Sequence, residues 1–196
     1  MYLKTEDLIK QCIKNNRTAQ NELFRKYKDT LFFTSLKYCR NQTDAEDNLH
    51  DAFITIFQKI KTYKNKGSFE GWMKRITIYK AIDKYKAEKP VTIEINNDLL
   101  EGAIEVEADK DADISLDELL QLIQELPDQY RMVFNLYQID SFSHKEIASL
   151  LNIAEGTSKS NYHRAKLILR EKLKPIVKTH GRASENKVKK YGRTPQ

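Results

Sequence analysis

The sequence predicts an all-α protein: two small helical domains joined by a flexible acidic linker, the C-terminal one a helix-turn-helix. Three observations predict it. From Thr5 to Lys86, Gly and Pro are almost absent and apolar residues recur at spacings of three and four, the period of an amphipathic helix. Between Glu94 and Asp113 that period is lost, and Glu94, Asp98, Glu101, Glu105, Glu107, Asp109, Asp111 and Asp113 stand against a single Lys110. Third, the stretch SHKEIASLLNIAEGTSKSNYHRAK, Ser143 to Lys166, reads as two short helices with a tight break between them. The expected boundaries are a helical domain over 1–88, a linker over 89–114, a second helical domain over 115–176 and a basic disordered tail over 177–196.

Taken in order, AQNELFRKYKDTLFFTSLKYC buries Leu23, Phe24, Tyr27, Leu31 and Leu36. TDAEDNLHDAFITIFQKI opens with a Thr43–Glu46 capping box and carries Leu49, Phe53, Ile56 and Ile60 on one face. After the loop TYKNKGS, the helix FEGWMKRITIYKAIDKYK turns Phe69, Trp72, Ile76 and Ile82 toward a core. In the linker, Val91, Ile93 and Ile95 alternate as in a strand, but no partner strand exists elsewhere, so the segment stays a linker. The second block opens with a Ser115–Glu118 capping box followed by Leu116, Leu119, Ile123 and Leu126. Pro127 suits the first turn of the next helix, which carries Tyr130, Val133, Phe134 and Tyr137.

The helix-turn-helix begins with a third capping box, Ser143–Glu146, and an apolar stripe of Ile147, Leu150 and Leu151. Small Ala148 lets a second helix cross closely, and Asn152 stands where the chain must turn, since Asn tolerates the left-handed conformation. The second helix starts near Glu155-Gly156-Thr157. Its spacing sets Ser158, Tyr162, Ala165 and Leu169 on one face and Lys159, Ser160, His163 and Arg164 on another. The second set is rich in donors with reach, which a helix in the major groove needs for phosphates and base edges. A helical hairpin with a solvated polar face is the alternative at this point.

A formal net charge of +6 and a pI of about 9.1 lean toward a polyanionic partner. The mean hydropathy of −0.67 fits a soluble protein. Cys12 and Cys39 sit in helical apolar patterns, with no CxxC and no histidine at metal-ligand spacing, so buried free thiols in a reducing compartment are expected. The N-terminus MYLKTEDLIKQ carries no signal-peptide core, and no apolar run approaches the ~20 residues of a membrane helix. A cytoplasmic protein without membrane insertion is expected. No cofactor, metal, catalytic group or small-molecule substrate is expected either. Asp44, Glu46, Asp47, His50 and Asp51 cluster, but no second cluster completes a metal shell and no glycine-rich phosphate loop exists.

Together, DAEDNLHDAFITIF, FEGWMKRITIYKAIDKYK and LPDQYRMVFNLYQIDSFSHKEIASLLNIAEGTSKSNYHRAKLILREKL resemble bacterial sigma factors of the extracytoplasmic-function (ECF) group. The resemblance covers roughly 5–86 and 116–174, and the three motifs stand in the family's order. It implies a factor that binds core RNA polymerase and promoter DNA to start transcription. It further implies that the helix over 44–60 docks on the polymerase through Asp44, Glu46, Asp47, His50 and Asp51. Tyr63, Lys64, Asn65, Lys66 and Ser68, with Arg75, Tyr79 and Lys80 on the following helix, would open and read the −10 element. Lys74, Lys84 and Lys86 would extend that basic track. Thr157, Lys159, Ser160, His163 and Arg164 fall on the positions that read the −35 element. Whether an anti-sigma factor holds the protein is left open by the sequence. The rival is a conventional helix-turn-helix regulator, which would bind DNA as a dimer.

Overall fold

A computed structural model of the chain describes the backbone of residues 4–88 and 115–191, with side chains up to residue 174. The linker over 89–114, with its alternating Val91, Ile93 and Ile95, lies outside the described residues. The predicted all-α class is the observed one: among the described residues every regular element is helical. The chain divides into two compact units, Met1–Val91 and Thr92–Gln196.

In the first unit, α1 (Thr5–Ile13), α2 (Arg17–Tyr38), α3 (Gln42–Lys59) and α4 (Phe69–Glu88) form a bundle, and a 3₁₀ turn, Ile60–Thr62, follows α3. The long α2 packs against the other three helices. Leu8, Leu23, Leu31, Ile56 and Met73 are fully buried there, and Phe24 meets Phe53 with ring centres 4.7 Å apart. Leu36, expected in the core, is only half-buried.

The start of α3 corrects the expected Thr43–Glu46 capping box. The cap is Asn41: its extended backbone brings Oδ1 within 2.8 Å of the Asp44 N–H, which it accepts. Thr43 is thereby inside the first turn, and Glu46 Oε1 instead accepts from Gln42 Nε2 at 3.0 Å. Both cysteines are buried thiols outside any disulfide, and burial pushes the Cys12 pKa up to about 11.

The second unit comprises α5 (Leu116–Gln124), α6 (Asp128–Phe134), α7 (His144–Leu151) and α8 (Glu155–Tyr191). Both predicted capping boxes here are present: Ser115 with Glu118 and Ser143 with Glu146 exchange side-chain and backbone bonds. Leu122, Ile123 and Leu126 pack with Ala165 and Leu169 of α8, whereas Leu116 is exposed at the first turn.

After Phe134 the helix widens into a π-helical turn, Asn135–Ile139. The extra residue per turn rotates the register, so Tyr137 and Ile139 lie exposed although the spacing put Tyr137 toward the core. At the other end, α8 does not stop near Pro175. Its backbone stays helical through Tyr191, where a disordered tail from 177 was expected. Pro175 and Gly181 both stand inside this helix, and Lys, Arg, Ala and Glu elsewhere along it favour the helical state.

Candidate functional site

Three surfaces gather the residues singled out above. The first is the outer side of α3. Ala45, Asn48, Leu49, Ala52, Phe53 and Ile56 face inward, so the helical period turns Glu46, Asp47, His50 and Asp51 out to solvent. Asp44 does not stand with them: it is half-buried, and its carboxylate pairs with Lys84 of α4 at 3.4 Å. One residue the sequence reading missed belongs to this side. Ile54 is 56% exposed, three residues from Asp51 and four from His50, an apolar side chain next to those charges. Its signal was present in the pattern, because a helix that buries Phe53 and Ile56 must turn Ile54 outward. Among the described residues, no three His, Cys, Asp or Glu side chains converge as a metal site.

The second surface is the loop before α4 and the outer side of that helix. Lys64, Asn65 and Lys66 are exposed at the loop tip. Asn65 and Gly67 take positive φ (56° and 84°), which makes the turn tight. Tyr63 is a strut for this loop. Its ring lies 5.0 Å from Phe69 and 5.6 Å from Trp72, and its hydroxyl donates to the Gly67 carbonyl at 2.8 Å. Ser68 caps α4, accepting the Gly71 N–H at 3.0 Å. A Cβ at Gly71 would come within 2.9 Å of that same oxygen, so glycine keeps the cap close. Along α4, Arg75 and Tyr79 are exposed one turn apart, Lys80 is half-buried, and Lys74 pairs with Glu70 at 2.7 Å. Phe69 is core, and Trp72 packs partly buried against it.

The third surface is the helix-turn-helix. Asn152 adopts the left-handed conformation (φ 55°, ψ 51°) and turns the chain from α7 into α8. Ser158, Ala165 and Leu169 are buried as the spacing required, and Asn161 is buried with them. Ser158 Oγ lies 3.0 Å from His144 Nδ1, which joins α8 to the first turn of α7. His144 stacks on Tyr137 with ring centres 4.1 Å apart, and Tyr162 closes the cluster at 4.6 Å from Tyr137. Tyr162 donates to Gln138 Oε1 at 2.5 Å. Burial, and then the Lys159 charge, pull the His144 pKa below its usual value against an opposing pull from Glu155.

On the outer side, Lys159 is exposed and pairs with Glu155 at 2.8 Å, whose carboxyl this bond and charge hold below the ordinary range. Thr157, Ser160, His163 and Arg164 are half-buried along the same stretch of α8. Ser160 donates to the Gly156 carbonyl at 3.0 Å, and Arg164 Nη1 donates to Tyr130 Oη at 3.3 Å. The arrangement is a short capped helix set across a longer one, with the cationic and hydroxyl side chains of the longer helix on its open side.

Comparison with known proteins gives these surfaces relatives. Residues 23–90 match the family described as Sigma-70 region 2, and residues 116–169 match Sigma-70, region 4. The chain is 31% identical over 187 residues to the ECF RNA polymerase sigma factor SigW of Bacillus subtilis, covering 90% of this chain and 100% of the relative. It is 25% identical to the ECF RNA polymerase sigma-E factor of Escherichia coli, over 90% of this chain and 97% of that one. A solved complex of the sigma factor RpoE with the anti-sigma factor NepR from Bartonella quintana aligns at 18% identity with a TM-score of 0.47, over 79% of this chain and 96% of the other.

Proposed function

The chain belongs to the ECF RNA polymerase sigma factors, which bind core polymerase and direct it to promoters, and from that premise we propose which residues do each part. The outer side of α3 docks on the polymerase. Glu46, Asp47, His50 and Asp51 line the N-terminal side of the exposed Ile54, which supplies the apolar contact that binding energy concentrates on. An acidic rim fits a basic partner and speeds the encounter. Asp44 acts at the edge of this face through its pair with Lys84.

The loop Lys64–Asn65–Lys66, held up by Tyr63 and Ser68, and the exposed Arg75 and Tyr79 receive the opened −10 strand. Cations track the backbone there and Tyr79 offers a ring for a base to stack on, with Lys80 beside it. In the second unit, Thr157, Lys159, Ser160, His163 and Arg164 of α8 meet the −35 major groove. The acidic linker over 89–114 joins the two. None of these roles asks the chain to make or break a covalent bond, and all of them belong in the cytoplasm, where the chromosome lies. No helix among the described residues is long and apolar enough to cross a membrane.

The observation that carries this reading is the pairing, within one chain, of an exposed acidic helix face with a separate capped helix-turn-helix. Its test is reconstitution with core polymerase. Asp47→Lys with Asp51→Lys should abolish co-purification with the polymerase while the far-ultraviolet circular dichroism stays native, and Ile54→Ala should weaken it. Retention of the double variant at wild-type level would remove α3 as the docking face.

A further inference from the structure

The charge of this chain is concentrated at one end. Residues 175–196 hold six cations, Lys178, Arg182, Lys187, Lys189, Lys190 and Arg193, against the single acid Glu185. Five of the six net positive charges of the chain therefore lie in its last 22 residues, and the first 174 are nearly neutral. The backbone joins this segment to the helix-turn-helix without a break, because α8 runs from Glu155 to Tyr191. At ~1.5 Å per residue, the helix beyond Lys174 adds about 25 Å.

We propose that the basic continuation of α8 is a second, sequence-independent DNA-binding element that holds duplex phosphates beside the site read by Thr157–Arg164. It rests on the assignment of α8 as the promoter-reading helix and extends it. Three considerations select duplex DNA as the occupant. First, Lys178 and Arg182 stand four residues apart and Lys187 and Lys190 three apart, spacings at which like charges weaken an isolated helix. A polyanion turns that repulsion into attraction. Second, duplex DNA presents one negative charge per ~1.7 Å of axis, a density that can engage several cations of one short helix together. The partner that fits the acidic side of α3 is basic and would repel this segment. Third, the segment is tethered to a helix already seated on the promoter. Its effective concentration there is on the order of millimolar, enough for individually weak phosphate contacts to form.

The test uses the full chain assembled with core polymerase on promoter duplexes, with binding measured from 50 to 200 mM salt. Two variants are compared with it: a chain ending at Lys174, and a full-length chain carrying Lys178→Gln, Arg182→Gln, Lys187→Gln, Lys189→Gln and Lys190→Gln. Each phosphate contact contributes ~0.9 to the slope of log affinity against log salt. Engagement of all five substituted cations would therefore lower the slope by about 4.5, and we expect a fall of at least two, with promoter binding at least tenfold weaker near 150 mM salt. Preference among −35 sequence variants should be unchanged. Slopes and affinities equal to those of the intact chain, with −35 preference present in all three proteins, would overturn the proposal while leaving the reading helix in place. Tighter DNA binding by either variant would also overturn it, because the cations would then be neutralised within the protein or by the polymerase. Absence of −35 preference in the intact chain would instead strike the assignment of α8 itself, and the proposal would fall with it.

Discussion

Asn48 Nδ2 lies 2.9 Å from Ser35 Oγ, and neither side chain reaches solvent. The same amide donates to the Thr77 carbonyl at 3.2 Å, so one side chain of α3 ties together α2 and α4. The helices that carry the proposed polymerase and −10 surfaces are thus joined by a polar contact inside an apolar bundle.

That contact gives the first prediction. Asn48→Leu leaves the Ser35 hydroxyl buried without its donor and should cost about 1–3 kcal/mol of stability. Adding Ser35→Ala removes the orphaned group and should recover part of the loss. Urea unfolding of the single and double variants measures both; equal midpoints for the two would show that the hydroxyl is indifferent to its partner.

Asn48 also marks where the sequence stops being legible. Leu49, Phe53 and Ile56 of α3 and Ile60 of the 3₁₀ turn after it are buried as expected, because their signal is a local period. A buried amide depends on partners 13 and 29 residues away, and no local pattern reports them. The capping boxes of α5 and α7 and the turn at Asn152 were legible for the same local reason, since each is settled within four residues. The cap of α3 was misread because Thr43 and Asn41 both suit it, and only the backbone conformation decides. Tyr63 and Ser68 read as loop residues facing DNA. Their work as strut and cap depends on Phe69, Trp72 and Gly71 folding back onto them. Tyr137 was lost to the π turn, which shifts the very period used to place it.

Arg131 is the second case that the pattern hid. It is 3% exposed, and its guanidinium donates to the Gln124 and Leu126 carbonyls, each at 2.9 Å, and to Asp128 Oδ1 at 2.6 Å. It closes the C-terminal end of α5, where backbone acceptors have no helical donors. Arg131→Met should cost about 3 kcal/mol, because it removes three charge-assisted hydrogen bonds made by a buried guanidinium. Asp128→Asn should cost less, since an amide can still accept. Thermal unfolding of the two variants gives the order, and a more damaging Asp128 change would reverse the assignment.

His144 makes the stability of the second unit depend on pH. Its folded pKa lies below the ordinary value, chiefly through burial, so protonation favours the unfolded chain. An unfolded histidine titrates near ~6.5. Stability should therefore be complete above that pH and decline as pH falls below it toward the depressed folded value. His144→Gln should flatten the decline between pH 7 and 5 in thermal melts. A decline of the same steepness in the variant would assign it to other groups.

The last prediction concerns how α8 divides affinity from sequence preference. Arg164 is held against α6 by the Tyr130 hydroxyl at 3.3 Å, while Lys159 is held by Glu155 at 2.8 Å. Both cations are pre-positioned, but on different terms. A guanidinium fixed in direction suits a bidentate bond to a guanine edge, for which loss costs about 1–3 kcal/mol and relaxes preference at one base pair. An exposed ammonium on a flexible stem suits a phosphate, where loss weakens binding to all sequences alike. Arg164→Ala should therefore flatten preference at one −35 position, and Tyr130→Phe should do so partially while leaving the arginine in place. Lys159→Ala should lower affinity evenly and reduce the salt slope by about one. Glu155→Gln should raise affinity evenly, because it removes a negative charge that faces the phosphates. Holoenzyme binding to a panel of −35 variants separates the four outcomes. An unchanged preference profile in Arg164→Ala and Tyr130→Phe alike would take Arg164 out of the readout and leave it as a contact between α6 and α8.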